Sequence, residues 1–237
     1  MKLTLRIRRL IAATAFLVVT ATILATHPDL QQVQQPPATQ TVQMPTGQAN
    51  DLLEQLAVKG RAPKTGYTRD QFGGGWGEMG MCDTRNVILH RDLVDVVVDE
   101  ECHVTRGTLH DPYTGKAIAF MRGDTTSQAV QIDHVVALSN AWQTGAQLIT
   151  PLEREQFAND PLELLAVDGE ANQQKSDGDA ATWLPPNKAF RCQYVARQIA
   201  VKAKYQLWVT PAEKSAMQQV LATCPGQLLP VADATAR

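Results

Sequence analysis

Apolar residues recur along the chain at two spacings, and each spacing predicts a type of element. Leu52, Leu53, Leu56 and Ala57 repeat at helical intervals ahead of Gly60, so a short amphipathic helix is expected over 51–59. Residues 66–80 are glycine-rich and aperiodic, which predicts a loop. Asp83 or Thr84 can cap a helix running to about Leu93. Two short runs, 104–109 and 116–121, flank Asp-Pro-Tyr-Thr-Gly, whose turn formers predict a hairpin. A strand over 130–133 and a helix over 137–147 follow. Thr150-Pro151-Leu152-Glu153 places a cap, a proline and a glutamate as a helix start requires. The apolar run 162–167 lies between Asp-Pro and Asp-Gly and reads as a strand, with a helix over 171–176 behind it. A long helix is expected over 187–206, carrying Val195, Ile199, Lys202 and Tyr205. Thr210-Pro211-Ala212-Glu213 repeats the capping pattern and opens a last helix to about Thr223. Two helices joined by a short turn should pack antiparallel.

The ends of the chain follow other rules. Lys2, Arg6, Arg8 and Arg9 precede an uncharged run from Leu10 to Ala25, a positive then apolar leader of the kind that directs export. The run is short for a membrane span of about 20 residues. Cleavage after Ala25 and retention as an N-terminal anchor both stay open, because Ile-Leu-Ala is not a clean small-x-small site. Either way, the remainder is expected outside the cytoplasmic membrane. Residues 26–50 are rich in Gln, Pro and Thr and cannot bury enough apolar surface to offset the entropy of ordering, so they read as a tether. The globular part is placed at 51–225, with a flexible tail over 226–237.

Charge qualifies the choice of partner. Lys plus Arg number 22 against 24 Asp plus Glu, and the leader removes four bases and no acid, leaving about −6. Such a protein lacks the broad positive field that drives nonspecific nucleic-acid binding, so any such activity needs a local basic patch or a bound cation.

Cys82, Cys102, Cys192 and Cys224 contain no C-x-x-C pair, which argues against structural zinc and, in an exported chain, for disulfides. Cys192 and Cys224 lie about 14 residues either side of the turn between the last two helices, hence about 21 Å from it at 1.5 Å per residue. They meet at one end of the pair. Cys192 is therefore expected to bond Cys224, and Cys82 to bond Cys102.

The chemistry concentrates in two segments. Gln131-Ile132-Asp133-His134-Val135-Val136 sets a carboxylate beside an imidazole where a strand ends. Leu164 to Asp177 reads as strand, turn and short helix, with Asn172 and Lys175 three apart on one helical face. Asp133 and the Asn172 amide are hard oxygen ligands suited to one Mg²⁺ or Mn²⁺, with water and phosphate completing the shell. His134, neutral near pH 7, can take a proton from an attacking water.

These segments carry a resemblance. IDHVVALSNAW, FANDPLELLAVDGEANQQKSDGDAATWLPPN, CDTRNVILHRDL and the intervening DPYTGKAIAF resemble the HNH endonuclease superfamily. Within it, they are closest to the GmrSD-type C-terminal domain family in its small exported actinobacterial form. The resemblance covers nearly all of 51–225. It implies an α+β fold: a ββα-metal core within a mostly helical shell, closed by the C-terminal antiparallel helix pair. It also implies His134 as general base, Asp133 and Asn172 as metal ligands, and Lys175 as a basic group at a phosphate. The N-x-x-K-S-D ending, similar to that of RNA-guided HNH nuclease domains, supports Asn172. One departure stands out. Where the pattern has Asn, this chain has Glu163, which would have to orient the His134 ring; Asn159 is the other candidate.

The remaining polar residues have plainer readings. Asp177 and Asp179 are turn or cap residues. Arg85 is an ion-pair or cap residue, or else a phosphate contact. Arg191, Arg197, Lys202 and Lys204 are solvated charge, or else a strip facing nucleic acid. Trp76, Trp142, Trp183 and Trp208 are core. The expected protein is thus a monomeric exported endonuclease acting on nucleic acid, chiefly DNA with little sequence preference, without a protein partner. A binding or envelope protein on the same scaffold, with turnover lost, is the alternative that Glu163 and the acidic charge suggest. A serine hydrolase is disfavoured because no G-x-S-x-G is present.

Overall fold

Leu164 to Val167 is buried without the polar alternation of a half-exposed strand, and its surroundings explain why. A computed structural model describes residues 46–230. The leader, nearly all of the tether, and the tail beyond residue 230 lie outside them. In chain order the elements are α1 (Ala49–Gln55), β1 (Glu78–Met79), β2 (Cys82–Asp83), α2 (Thr84–Asp92), β3 (Leu93–Val98), β4 (Val104–His110) and β5 (Ala117–Met121). Then come β6 (Val130–His134), α3 (Leu138–Ala141), α4 (Pro151–Ala158), β7 (Leu164–Asp168), α5 (Gly169–Lys175), α6 (Arg191–Lys204) and α7 (Pro211–Leu221). This is a mixed α and β fold with small antiparallel sheets.

Strands β6 and β7 pair antiparallel, from Val130 opposite Asp168 to His134 opposite Leu164. One face of this ribbon gives Val130, Ile132, Leu164 and Ala166 to a cluster with Ile88 and Leu89 of α2 and Leu93, Val104, Leu109 and Phe120 of the β3–β4–β5 sheet. Leu165 and Val167 enter a second cluster, built largely by α1, α4, α6 and α7. The ribbon therefore sits between two cores, one built largely of helices and the other of α2 and the β3–β4–β5 sheet. On the other side, a three-stranded sheet replaces part of the expected helical shell.

Several elements differ from expectation for identifiable reasons. The helix of 84–92 passes directly into β3, whose Val-rich sequence supplies β-branched residues. No turn former separates the two, so the strand was not anticipated. The helix expected over 137–147 is α3 alone. It is followed by a wide turn, Trp142–Ala146, in which Thr144 and Gly145 leave helical geometry and Gly145 has φ 133°. Asn187 caps a 3-10 turn, Lys188–Phe190, before α6, shortening the long helix. The first helix starts at Ala49, and Gln48 bridges Leu228, so ordered chain extends past both expected boundaries of the globular part.

The capping patterns act as read. Thr150 and Thr210 each accept from the backbone N–H three residues on, while Glu153 and Glu213 reach back. Both disulfides pair as expected, Cys82 with Cys102 and Cys192 with Cys224. The cations of α6 are structural rather than solvated. Lys202 is fully buried against Glu213 at 2.9 Å, Lys204 meets Asp160 at 2.6 Å, and Arg191 and Arg197 donate to the Pro185 and Leu162 carbonyls. Among the described residues, no helix is long and apolar enough to cross a membrane.

Candidate active site

Alternation along β6 sends Gln131 and Asp133 to one face and Ile132 and His134 to the other. The helical spacing of α5 meets the first face. The Asn172 amide donates to Gln131 Oε1 at 2.9 Å, and Lys175 Nζ donates to Asp133 Oδ1 at 2.9 Å. Two rungs thus tie helix to strand. Lys175 also donates to the His134 carbonyl at 2.7 Å, and its side chain is fully buried. That corrects its expected role, since an ammonium spent beneath the strand cannot meet a phosphate. It is a positioning residue for Asp133.

The other Asp133 oxygen accepts the Tyr113 hydroxyl. Tyr113 sits in the Asp-Pro-Tyr-Thr-Gly turn, where Asp111 accepts from the Tyr113, Thr114 and Asp168 amides and locks the turn against β7. Burial raises the Asp133 pKa, and Lys175 and Tyr113 oppose that rise.

His134 presents its ring to a groove of about 670 Å³ bordered also by Asp133, Asn172, Gln131, Trp76 and Arg69. Its Nε2 lies 3.0 Å from the Ala158 carbonyl at the end of α4. A carbonyl oxygen only accepts, so in the neutral ring Nε2 carries the proton, and the Nδ1 lone pair has no hydrogen-bond partner among the described residues. Burial pushes the His134 pKa down from 6.5 to about 3; the Ala158 hydrogen bond resists this, and the charges of Arg69 and Lys175 add to it. The ring is therefore neutral at physiological pH. Trp76 stacks on it, with centroids 5.8 Å apart and planes 5° from parallel.

Glu163 does not orient this ring, which corrects the expectation built on it. Its carboxylate accepts the Val136 N–H at 3.1 and 3.2 Å, and its carbonyl accepts the Val135 N–H at 2.9 Å. Burial raises the Glu163 pKa well above the carboxylate range. It staples the chain as it leaves His134. Asn159 is not the orienting group either, because its amide oxygen accepts the Gly77 N–H at 2.7 Å. A backbone carbonyl performs the steering.

Hard oxygens suited to a divalent cation are present. Asn172 spends its amide nitrogen on Gln131, leaving its oxygen without a hydrogen-bond partner among the described residues. A carboxylate offers about four lone-pair positions, so Asp133 can serve Lys175, Tyr113 and a cation together. No group of three His, Cys, Asp or Glu side chains suited to a metal occurs among the described residues. An Asp–Asn pair completed by water and phosphate therefore fits Mg²⁺ or Mn²⁺ better than zinc.

Arg85 lines the groove without a carboxylate in ion-pair range among the described residues. The groove also collects residues that sequence reasoning passed over. Tyr67, Arg69 and Trp76 come from the glycine-rich stretch and Lys64 from just before it, and Trp76 is half-buried, packed at the edge of the smaller core cluster. Asp177 accepts from Ser139 and pairs with Lys64 at the rim. Asp179 is the expected turn residue, accepting from the Ala181 amide, and it also pairs with Arg61. Of the basic residues in this wall the sequence singles out only Arg85; Lys64 and Arg69 stand in a stretch without periodicity, and nothing local marks them.

The model of the GmrSD restriction endonuclease C-terminal domain matches residues 83–220. A protein from Arthroderma benhamiae, described as an uncharacterized secreted protein, is 42% identical over 178 residues, which is 74% of this chain and 84% of the relative. The match spans Asp133, His134, Asn172 and every element from α2 to α7. The chain belongs to the GmrSD restriction endonuclease C-terminal domain family.

Proposed function

We propose that the protein is an exported endonuclease that hydrolyses phosphodiester bonds of DNA with little sequence preference and depends on Mg²⁺ or Mn²⁺. The observation that carries this reading is the His134 imidazole. Burial favours its neutral form, the Ala158 carbonyl holds the proton on Nε2, Nδ1 has no hydrogen-bond partner among the described residues, and the residue lines a groove. In that state the ring can accept a proton from a water poised against a phosphate. The β6–β7–α5 unit is read as a ββα-metal core, with Asp133 and Asn172 holding the ion. When bound, such an ion stabilises charge on the phosphate and the leaving oxygen. Lys175 and Tyr113 hold Asp133 in place, Glu163 fixes the chain beyond His134, and Trp76 limits water at one ring face.

Lys64, Arg69 and Arg85 supply the local positive wall that the acidic chain as a whole lacks. The basic-then-apolar leader, the paired cysteines and a relative described as secreted support export. Residues 1–25 are read as the leader and the following Gln/Pro-rich stretch as a tether. The alternative of an inactive scaffold loses one of its two supports, since His134 does not depend on Glu163 for its orientation.

Purified protein should nick supercoiled plasmid with Mg²⁺ or Mn²⁺, and both EDTA and His134→Ala should abolish nicking. Undiminished nicking by His134→Ala would refute the assignment.

A further inference from the structure

Beside His134 lies a second, smaller pocket of about 200 Å³, closed by residues 69–76. Its lining includes Arg69, Asp70, the three glycines 73–75, Trp76 and the His134 ring. The backbone N–H groups of Gly74, Gly75 and Trp76 have no hydrogen-bond partner among the described residues, and Arg69 has no carboxylate within ion-pair distance. Gly73 and Gly75 adopt φ of 98° and 145°, so the loop takes a path that side-chain-bearing residues rarely follow.

This loop is held firmly. Arg154 donates to the Gln71 carbonyl at 2.8 Å, Phe72 is buried against Phe157 and Trp142, and Gly77 N–H donates to Asn159. The end of α4 thus fixes both the His134 ring, through Ala158, and the loop, through Asn159. Unpaired amides beside a guanidinium make an anion cradle, and this one shares a wall with the candidate general base.

We infer that the 69–76 loop is a phosphate subsite. Arg69 and the Gly74, Gly75 and Trp76 amides hold a phosphate of the nucleic-acid strand next to the one being cleaved. The inference rests on the nuclease reading for its substrate, but the anion site itself does not. Strand polymers, rather than isolated diesters, become the favoured substrate class. Residues 69–76 lie outside the matched family region.

Asp70 is the acid on the lining, and it makes the test two-sided. Titration of inorganic phosphate into the full chain in EDTA should shift the amide resonances of Gly74, Gly75 and Trp76. Arg69→Gln should weaken phosphate binding about tenfold, as expected for loss of a charge-assisted hydrogen bond, and Asp70→Asn should tighten it. Arg69 and Asp70 are both exposed, so neither variant threatens folding. Amide shifts elsewhere or nowhere, or identical affinities in the two variants, would overturn the subsite. If phosphate binds as stated while plasmid is never nicked, the nuclease reading fails and the subsite stands. If nicking depends on His134 but phosphate leaves the loop amides unmoved, the reverse holds.

Discussion

The protein buries two lysines completely, each against a carboxylate at 2.9 Å, and their surroundings part company from there. Lys202 and Glu213 lock α6 to the start of α7. The lysine also donates to the Trp208 carbonyl, and the glutamate is sealed from solvent. Lys175 and Asp133 lock α5 to β6, yet the aspartate borders an open groove beside a free imidazole nitrogen. The difference teaches that a buried ion pair does not by itself mark a site. What marks one is unused bonding capacity turned toward space a substrate can enter.

The sharpest way to break the comparison is to remove each lysine. Either Lys→Met change leaves a carboxylate buried without its partner and should cost about 3–5 kcal/mol of stability, measurable by urea unfolding. Only Lys175→Met should also reduce plasmid nicking per folded molecule, by two orders of magnitude or more. Equal turnover losses in both would erase the distinction.

A smaller effect concerns His134. Its folded pKa, about 3, lies below its unfolded value of 6.5, so the unfolded chain binds more protons between those limits. Stability from this group is therefore present above pH 6.5 and is lost as pH falls toward 3. From pH 7 to 5 the loss should be about 2 kcal/mol at 1.36 kcal/mol per unit. His134→Gln, compared in EDTA, should show a correspondingly flatter pH profile of unfolding free energy. Parallel profiles would mean that the ring is not held neutral.

Tyr113→Phe removes one donor from Asp133 and should cost about 1–2 kcal/mol, together with a measurable fall in nicking. At the sealed pair, the double change Lys202→Met with Glu213→Leu should recover most of the loss caused by Lys202→Met alone, short of the about 1 kcal/mol that the Glu213 hydrogen bond from the Thr210 N–H contributes. That would confirm the pair as replaceable scaffolding.

Much of the candidate site could be read from residue order, because its polar residues sit in contiguous words. Asp133-His134 and the Asn172-to-Asp177 run carry their types and spacing openly, and helix lengths alone sufficed to pair the cysteines. What escaped has physical causes. Lys175 looked like a surface base because nothing local announces that β6 covers it. Trp76 looked like core because tryptophan usually is. Strand β3 was hidden because it follows α2 without a turn residue. The Ala158 carbonyl could not be seen at all, since a backbone atom 24 residues away leaves no letter in the sequence.

That carbonyl has a consequence for how the protein can change over generations. No single codon encodes the group that aims His134, so no single substitution deletes it. Position 163 is accordingly released from the duty that an orienting side chain would impose, and drift there is judged only on whether the chain beyond His134 stays anchored. A saturation scan would find His134 and Asp133 brittle. The aiming device between them and α4 would appear in no column of the map, because it is inherited as a shape.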